Sequence, residues 1–500
     1  MKHCMHGLQQ CSRSIERRAL LLQRFSGSPV IPARRTAPLR RTYASVLAAE
    51  LQFGQPVHET HPHLLKPGEI TPGITALEYA ERRSKLAARL PKNAIAVVAA
   101  SEIQYRSGAV FYEFHQDSSF FYLTGFNEPE ALAIIEKSAP GDDHTFHLYV
   151  RPKDPKAEQW DGARSGTQAA VDVFNADETG DVNNLHNLLG PVIRAASEVY
   201  TDISLKPSPK STFSRFFSNP SAKSEVMAKV LESSKVKPLK PVINDIRAYK
   251  SEAEITNMRR AGQASGRAFT EAMRQPWTRE KDLAAFLDYR FKIQGCDTSA
   301  YVPVVAGGQN ALSIHYVRND DILRNEDLVL TDAGGSYGGY ITDITRTFPT
   351  SGAFTPAQKD LYTAILSVQR TSISLCRASA RLSLDALHSI AEQGLREQLQ
   401  RLGFDMGGQA LEALFPHQLG HYIGLDVHDT PGYSRKGALR EGQCVTVEPG
   451  VYVPDDERWP EHFRGLGIRI EDSVCVGEEN PLVLTTEAVK EVVDIEALRN

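Results

Sequence analysis

The sequence has 500 residues with 57 basic and 61 acidic side chains, and residues 1–42 hold nine of the basic groups but only one acid. The remainder carries 48 basic and 60 acidic groups, a net charge of −12, so it lacks the positive surface that binding to nucleic acid requires. It also contains no apolar stretch near the roughly 20 residues of a membrane-spanning helix, so we predict neither a nucleic-acid partner nor a membrane span.

The first 43 residues predict a mitochondrial transit peptide. "SIERRALLLQRF" (14–25) can form a helix with arginines on one side and Leu and Phe on the other. A basic, amphipathic, acid-poor N-terminus is typical of such peptides. The alternative, a disordered arm that binds nucleic acid, would not need the apolar face. We therefore expect a mitochondrial protein, in the matrix or peripheral to the inner membrane.

Residues 54–240 predict a small mixed α/β domain. It contains a helical pattern at 76–90, two apolar runs of strand length at 94–100 and 131–137, and an alternating, strand-like segment at 145–151. A Ser-, Pro- and Lys-rich piece at 204–225 predicts a solvated insert. Two prolines within 234–243 mark the boundary to a second domain, 241–500. That domain opens with a long helical pattern, 251–273, whose Ser251 and Glu254 fit a capping box.

Two aspartates flank a glycine-rich turn in the second domain. "LVLTDAGGSYGGYITDITRTFP" (328–349) predicts two strands, with Asp332 near the end of the first and Asp343 within the second. A hairpin would bring both carboxylates side by side. A buried carboxylate is costly unless its charge meets a partner. Turn aspartates are common, however, so this segment alone is weak evidence for a site.

Three histidines follow in "FPHQLGHYIGLDVHDTPG" (415–432). His417 and His421 have the i, i+4 spacing of zinc ligands on a helix, but the zinc-peptidase signature needs Glu where this chain has Gln418. The glycines of the segment also argue against a regular helix. At most one of this pair is therefore needed as a ligand, and His428 adds a third imidazole nearby.

Two glutamates complete the candidate set. Glu448 lies in the strand pattern "VTVEPGVYVP" (445–454) and Glu471 in "GLGIRIEDSVCV" (465–476). Glu471 could also be an outward-facing charge. Four carboxylates and one imidazole favour Mn²⁺ or a similar ion over a thiolate-bound zinc. Because four acids would overcharge one divalent ion, we predict two ions with bridging carboxylates.

The order of the motifs "DAG", "DITRTF", "PHQLGH", "DVHD", "VEPGVY" and "GIRIED" resembles the pita-bread metallopeptidases. Within them the chain is similar to the aminopeptidase P branch from about residue 54 to the C-terminus. Many members have Gly or Thr where this chain has Gln418. The resemblance implies a mixed α/β (α+β) protein, with a small N-terminal domain and a C-terminal pita-bread catalytic domain.

The resemblance also implies a role for each matching residue. The metal ligands would be Asp332, Asp343, His421, Glu448 and Glu471, with Asp343 and Glu471 bridging two ions. The catalytic groups would be His315, His428 and Glu448, of which Glu448 would also accept a proton. The substrate-binding groups would be His417, Tyr452 and Arg469.

The implied activity is removal of a single residue from peptide and protein N-termini, by a homodimer. Its substrates would include proteins already cut by the mitochondrial processing peptidase. The alternatives are a general Xaa-Pro aminopeptidase, a prolidase-like dipeptidase and, more remotely, a pita-bread binding protein without catalysis. "RRTYAS" (40–45) fits the first activity, because a cut after Thr42 would leave Tyr43 as a single bulky residue before Ala44.

Overall fold

The computed structural model describes residues 52–137, 140–203 and 236–499, all within a unit that spans Ala48–Asn500. The transit peptide predicted at 1–43 and the insert predicted at 204–225 lie outside the described residues. The domain limits 54–240 and 241–500 remain predictions. In the described part of the chain, no helix is both long and apolar enough to cross a membrane.

The N-terminal half is built on one six-stranded sheet of order β10-β9-β3-β6-β7-β8. Its strands and those of two small hairpins are β1 Glu69–Thr71, β2 Ile74–Thr75, β3 Ala94–Ala99, β4 Tyr105–Ser107, β5 Val110–Phe111, β6 Leu132–Glu136, β7 Thr145–Val150, β8 Glu178–Asp181, β9 Glu198–Tyr200 and β10 Val236–Lys237. Its helices are α1 Ala76–Arg89, α2 Ser118–Thr124, α3 Pro155–Asp161, α4 Gly166–Asp172 and α5 Leu185–Ala195. The predicted helix and all three predicted strands are therefore confirmed.

The C-terminal half combines long helices with several short sheets. Its helices are α6 Lys240–Arg247, α7 Glu252–Met273, α8 Glu280–Ile293, α9 Pro356–Ser374, α10 Leu384–Arg401, α11 Ala410–Leu414 and α12 Val492–Ala497. Its strands are β11 Thr298–Ser299, β12 Val304–Gly307, β13 Leu328–Ala333, β14 Gly335–Tyr337, β15 Tyr340–Ile341, β16 Ile344–Pro349, β17 Cys444–Val447, β18 Gly450–Tyr452, β19 Gly467–Arg469, β20 Asp472–Cys475 and β21 Leu482–Val483. The predicted capping box forms at the start of α7, where Ser251 and Glu254 bond each other's backbone.

The predicted hairpin at 328–349 is present, but each arm is divided. β13 pairs with β16 and places Asp332 opposite Thr345, whereas β14 pairs with β15 and with β11 in a second sheet. The arms approach closely at the division, because a Cβ on Gly334 would lie 1.9 Å from the carbonyl oxygen of Thr342. The hairpin thus changes sheets midway, and Asp343 falls at the change.

A buried ionic cluster joins α1 to α7. Arg82 is 2% exposed and donates to Glu78 at 2.7 Å and to the hydroxyl of Tyr340 at 3.1 Å. That hydroxyl donates to Glu254 at 2.9 Å, and Glu254 lies 3.7 Å from the Arg82 guanidinium. The cluster connects the N-terminal half to the first long helix of the C-terminal half.

Arg82→Met is expected to lower the free energy of unfolding by about 3–5 kcal/mol, because it leaves the carboxylate of Glu254 buried without its cation. Arg89→Met is the matched control on the same helix. Its exposed guanidinium lies 3.9 Å from Asp245, and such pairs contribute about 0–1 kcal/mol. Urea denaturation measures both variants, and equal losses would contradict a special role for the buried cluster.

Candidate metal centre

Three of the five predicted metal ligands lie in short interruptions between strands. Asp343 lies between β15 and β16, Glu448 between β17 and β18, and Glu471 between β19 and β20. The prediction that Asp343, Glu448 and Glu471 lie within strands was wrong. The cause is a change of partner, since β17 pairs with β20 in one sheet and β18 with β19 in another. The chain between β17 and β18 and the chain between β19 and β20 are therefore interrupted next to each other. This places the two glutamates in one region.

His421 comes from a segment without helix, as its glycines indicated. A Cβ on Gly420 would lie 1.9 Å from the carbonyl oxygen of Thr446, so this position requires a residue without a side chain. The backbone N–H of His421 donates to Thr446 Oγ1 at 3.0 Å, and its Nδ1 lies 3.1 Å from the carbonyl oxygen of Tyr422. An Nδ1–H bonded to that carbonyl leaves Nε2 as the free ligand atom.

The predicted ligands converge on one place. His421 Nε2 lies 3.6 Å from Asp343 Oδ2 and 3.5 Å from Glu448 Oε1. Asp343, His421 and Glu471 each offer a ligand atom, and these atoms lie within 4.8 Å of one another. Asp332 joins the group through the hydroxyl of Tyr301, which reaches Asp332 Oδ1 at 2.7 Å and also Asp343 Oδ1. The structure thus brings all five residues together.

The protein's own groups leave this cluster short of positive charge. Burial, with the neighbouring carboxylates, raises the pKa of Asp332 to about 6, that of Glu448 to about 7 and that of Glu471 well above its usual range. For His421, burial alone would lower the pKa, but the carboxylates of Asp343 and Glu448 raise it to about 9. Each shift shows that a nearby cation would be stabilised.

Glu471 provides the sharpest sign that a cation belongs there. Its Oε2 accepts a hydrogen bond from Thr345 Oγ1 at 2.6 Å, whereas its Oε1 is buried without a hydrogen-bond partner among the described residues. A buried carboxylate oxygen without a donor costs about 1–3 kcal/mol or more. Four oxygen donors and one imidazole nitrogen suit a hard or borderline divalent ion. The residues therefore fit divalent metal ions.

A chain of hydrogen bonds surrounds the cluster on one side. His417 Nε2 lies 2.9 Å from the hydroxyl of Tyr452, which accepts a bond from Arg469 Nη1 at 2.7 Å. Arg469 is 2% exposed, and its Nη2 donates to Asp332 Oδ2 at 2.6 Å. Burial is the main reason that the pKa of His417 falls to about 4, so this imidazole is neutral at physiological pH. The three predicted substrate-binding residues are therefore linked to a predicted ligand.

The two other predicted histidines lie at the same site. The ring of His428 packs edge-on against His421, with centroids 4.4 Å apart. Burial lowers the pKa of His428, and the charges of His421 and His315 contribute to the shift. His315 itself is exposed. Among the described residues, neither imidazole belongs to the group whose ligand atoms converge within 4.8 Å.

Three hydroxyl groups that hold the predicted ligands were not predicted from the sequence. Tyr301 bridges Asp332 and Asp343, Thr345 donates to Glu471, and Thr446 Oγ1 donates to Glu448 Oε1 at 3.2 Å. The two threonines could have been predicted, because each lies two residues from a predicted ligand in a strand pattern. Side chains two residues apart lie on the same face of a strand. Tyr301 carried no such signal.

The sequence patterns of two known families match the chain. The family described as aminopeptidase P, N-terminal domain, matches residues 79–200, and metallopeptidase family M24 matches residues 256–478. The chain is 45% identical over 460 residues to intermediate cleaving peptidase 55 of Saccharomyces cerevisiae, covering 91% of this chain and 90% of that one. It is 38% identical over 467 residues to Xaa-Pro aminopeptidase 3 of Homo sapiens, covering 89% and 90%.

Solved structures agree with these relatives. A crystal structure of Icp55 from Saccharomyces cerevisiae matches 86% of this chain and 99% of its own, with 43% identity and a TM-score of 0.80. Aminopeptidase P from E. coli with the inhibitor Pro-Leu matches 85% and 98%, with 32% identity and a TM-score of 0.77. The chain therefore belongs to metallopeptidase family M24. Within that family it falls in the aminopeptidase P group that contains intermediate cleaving peptidase 55 and Xaa-Pro aminopeptidase 3.

Divalent ions are expected to raise the melting temperature of the metal-stripped protein. An ion at a hundred times its Kd adds about 2.7 kcal/mol to the free energy of unfolding. Glu471→Gln should lose most of this gain, because it removes one of the converging carboxylates. Glu479→Gln, which changes an exposed acid nearby, should keep it. Thermal unfolding with and without Mn²⁺ measures the difference, and an equal gain in both variants would remove Glu471 from the site.

Proposed function

We propose that this chain is a mitochondrial metalloaminopeptidase that removes one N-terminal residue from proteins already shortened by the mitochondrial processing peptidase. The observation that carries the proposal is the convergence of four largely buried carboxylates and one imidazole, in a chain of family M24. The similarity to intermediate cleaving peptidase 55 supports the substrate class. A relative of Arabidopsis thaliana, 33% identical, is named as mitochondrial, which supports the location.

In this proposal Asp332, Asp343, His421, Glu448 and Glu471 hold two divalent ions, most simply Mn²⁺. Bound ions would supply Lewis-acid polarisation of the scissile carbonyl and a nucleophile at neutral pH. The carboxylates and the imidazole of His421 hold the centre in a fixed geometry, since hydroxyl groups from Tyr301, Thr345 and Thr446 orient all four carboxylates. These contacts remove the freedom of the carboxylates to rotate away.

The remaining roles follow from position and protonation. Glu448 accepts the proton of the attacking water and returns it to the leaving amine. His428 donates a hydrogen bond to the carbonyl oxygen as negative charge develops there. His315 contacts the substrate from the exposed side. Arg469, Tyr452 and His417 form the linked wall against which the substrate is oriented.

A homodimer is part of the proposal. The β4–β5 hairpin and the residue after it expose four large apolar side chains, each more than half accessible: Tyr105, Val110, Phe111 and Tyr112. Exposed apolar groups clustered in this way are typical of interaction surfaces. We propose this hairpin as a contact between subunits, in the matrix or at the inner membrane.

Two octapeptides, one blocked form and one dipeptide test the substrate class. With Mn²⁺, an octapeptide that begins Tyr-Ala-Ser should lose only its tyrosine. The proposed enzyme binds a free α-amino group and removes a single residue. Its N-acetylated form should remain intact. A Tyr-Pro-led octapeptide tests the Xaa-Pro alternative, and a Tyr-Pro dipeptide tests the prolidase alternative. Mass spectrometry reads each product. Cleavage of the Tyr-Pro dipeptide alone would overturn the proposed activity in favour of a dipeptidase.

His428→Ala should lower kcat by about a hundredfold, the usual effect of losing one donor to a developing oxyanion. Its metal content should stay at the wild-type value, because His428 holds no ion in the proposal. Elemental analysis and steady-state kinetics on the same preparation separate the two effects. A variant that loses metal would make His428 a ligand instead.

A further inference from the structure

One arginine holds both acids that flank His428. Arg247, the last residue of α6, donates from Nη2 to Asp426 Oδ2 at 2.8 Å and also to Asp429 Oδ1. Asp426 lies two residues before His428 and Asp429 one residue after it. The guanidinium is 5% exposed, so its attraction for both carboxylates is only weakly screened by water. The backbone on either side of His428 is thus fixed to one point on α6.

The acid next to His428 uses both of its carboxylate oxygens in contacts with buried cations. The side chain of Asp429 is 1% exposed, and Lys250 Nζ donates to its Oδ2 at 2.9 Å. Burial alone would raise the pKa of Asp429, but the charges of Lys250 and Arg247 bring it below its usual value. The following residue, Thr430, has a φ of 49°, a backbone conformation that a β-branched residue rarely adopts. The segment therefore depends on its side-chain contacts to keep this path.

The same arginine also contacts the N-terminal half. Arg247 Nη1 donates to Ser119 Oγ at 3.1 Å, and Ser118 Oγ donates to Asp426 Oδ1 at 2.5 Å. Both serines belong to the first turn of α2, which is capped by the side chain of Asp117. A polar path thus runs from α2 through Arg247 and Asp426 to the backbone at His428.

We infer that Arg247 is a positioning residue for His428, and that it makes the placement of this imidazole depend on the first turn of α2. The inference rests on the proposed function, because it concerns the group that stabilises the developing oxyanion. A donor at that position must lie within a few tenths of an ångström of its best distance. A misplacement of about 1 Å can cost about a hundredfold in rate. Arg247 itself touches none of the predicted metal ligands.

A double-mutant cycle tests this inference, with Arg247→Met, His428→Ala and the two combined. Arg247→Met should lower kcat by at least about tenfold and leave KM and metal content within about twofold. In the combined variant kcat should be no more than about twofold below that of His428→Ala, because the arginine acts only through an imidazole that is already absent. A purely structural role would lower the melting temperature and leave kcat per folded molecule unchanged.

Lys137→Met is the matched control for the loss of a buried cation. The ammonium of Lys137 is buried in the N-terminal sheet and donates to the carbonyl oxygen of Leu90 at 2.7 Å, away from residues 426–430. Its kcat should be unchanged. If Arg247→Met does not fold, Asp426→Ala replaces it in the cycle, since the carboxylate of Asp426 is 37% exposed and its loss is better tolerated. The combined variant is again compared with His428→Ala. Asp426→Ala alone should lose at least about threefold in kcat.

Each result has one meaning. Effects of Arg247→Met and His428→Ala that multiply in the combined variant would overturn the inference and leave the proposed function intact. A wild-type kcat in Arg247→Met would do the same. If His428→Ala itself keeps full activity, the proposed role of His428 fails first, and the inference fails with it. If the wild-type chain shows no metal-dependent peptide cleavage, the proposed function fails.

Discussion

The crowding of four carboxylates, two buried and two partly buried, around one imidazole is the constraint on which the catalytic half depends. Asp343 is 5% exposed and Glu471 is 1% exposed, and like charges in a medium of low polarity repel strongly. The hydroxyl groups and Arg469 offset only part of this cost, as the raised pKa values of Asp332, Glu448 and Glu471 show. The fold therefore holds an arrangement that bound cations would stabilise.

The geometry that meets this constraint comes from strands that stop and change partners. Where β17 and β20 end as a pair and β18 and β19 begin, Glu448 and Glu471 are left outside the regular ladder. Asp343 occupies the corresponding break in the other hairpin. Gly334 and Gly420 permit the close backbone contacts at these breaks. Sheet segments on both sides thus hold the predicted ligands, and the predicted ligands face one another.

The sequence was enough to predict which five side chains converge at one place, and most of the regular elements. The helix at 76–90 and the strands from 94, 131 and 145 follow local periodicity and burial, so they formed as predicted. The strand ends near Glu448 and Glu471 did not, because periodicity carries no record of which sheet a strand joins. Tyr301 and Arg247 were missed for a related reason. Both act across large separations in the chain, and nothing in their local sequence indicates a partner.

The number of divalent ions per chain tests the central claim most directly. Equilibrium dialysis of the metal-stripped protein against Mn²⁺, followed by elemental analysis, counts them without reference to activity. Four carboxylates arranged for bridging predict two ions per chain in the wild type, and fewer when Glu471 is replaced by Gln. A wild-type chain that binds one ion or none at saturating Mn²⁺ would contradict the two-metal centre.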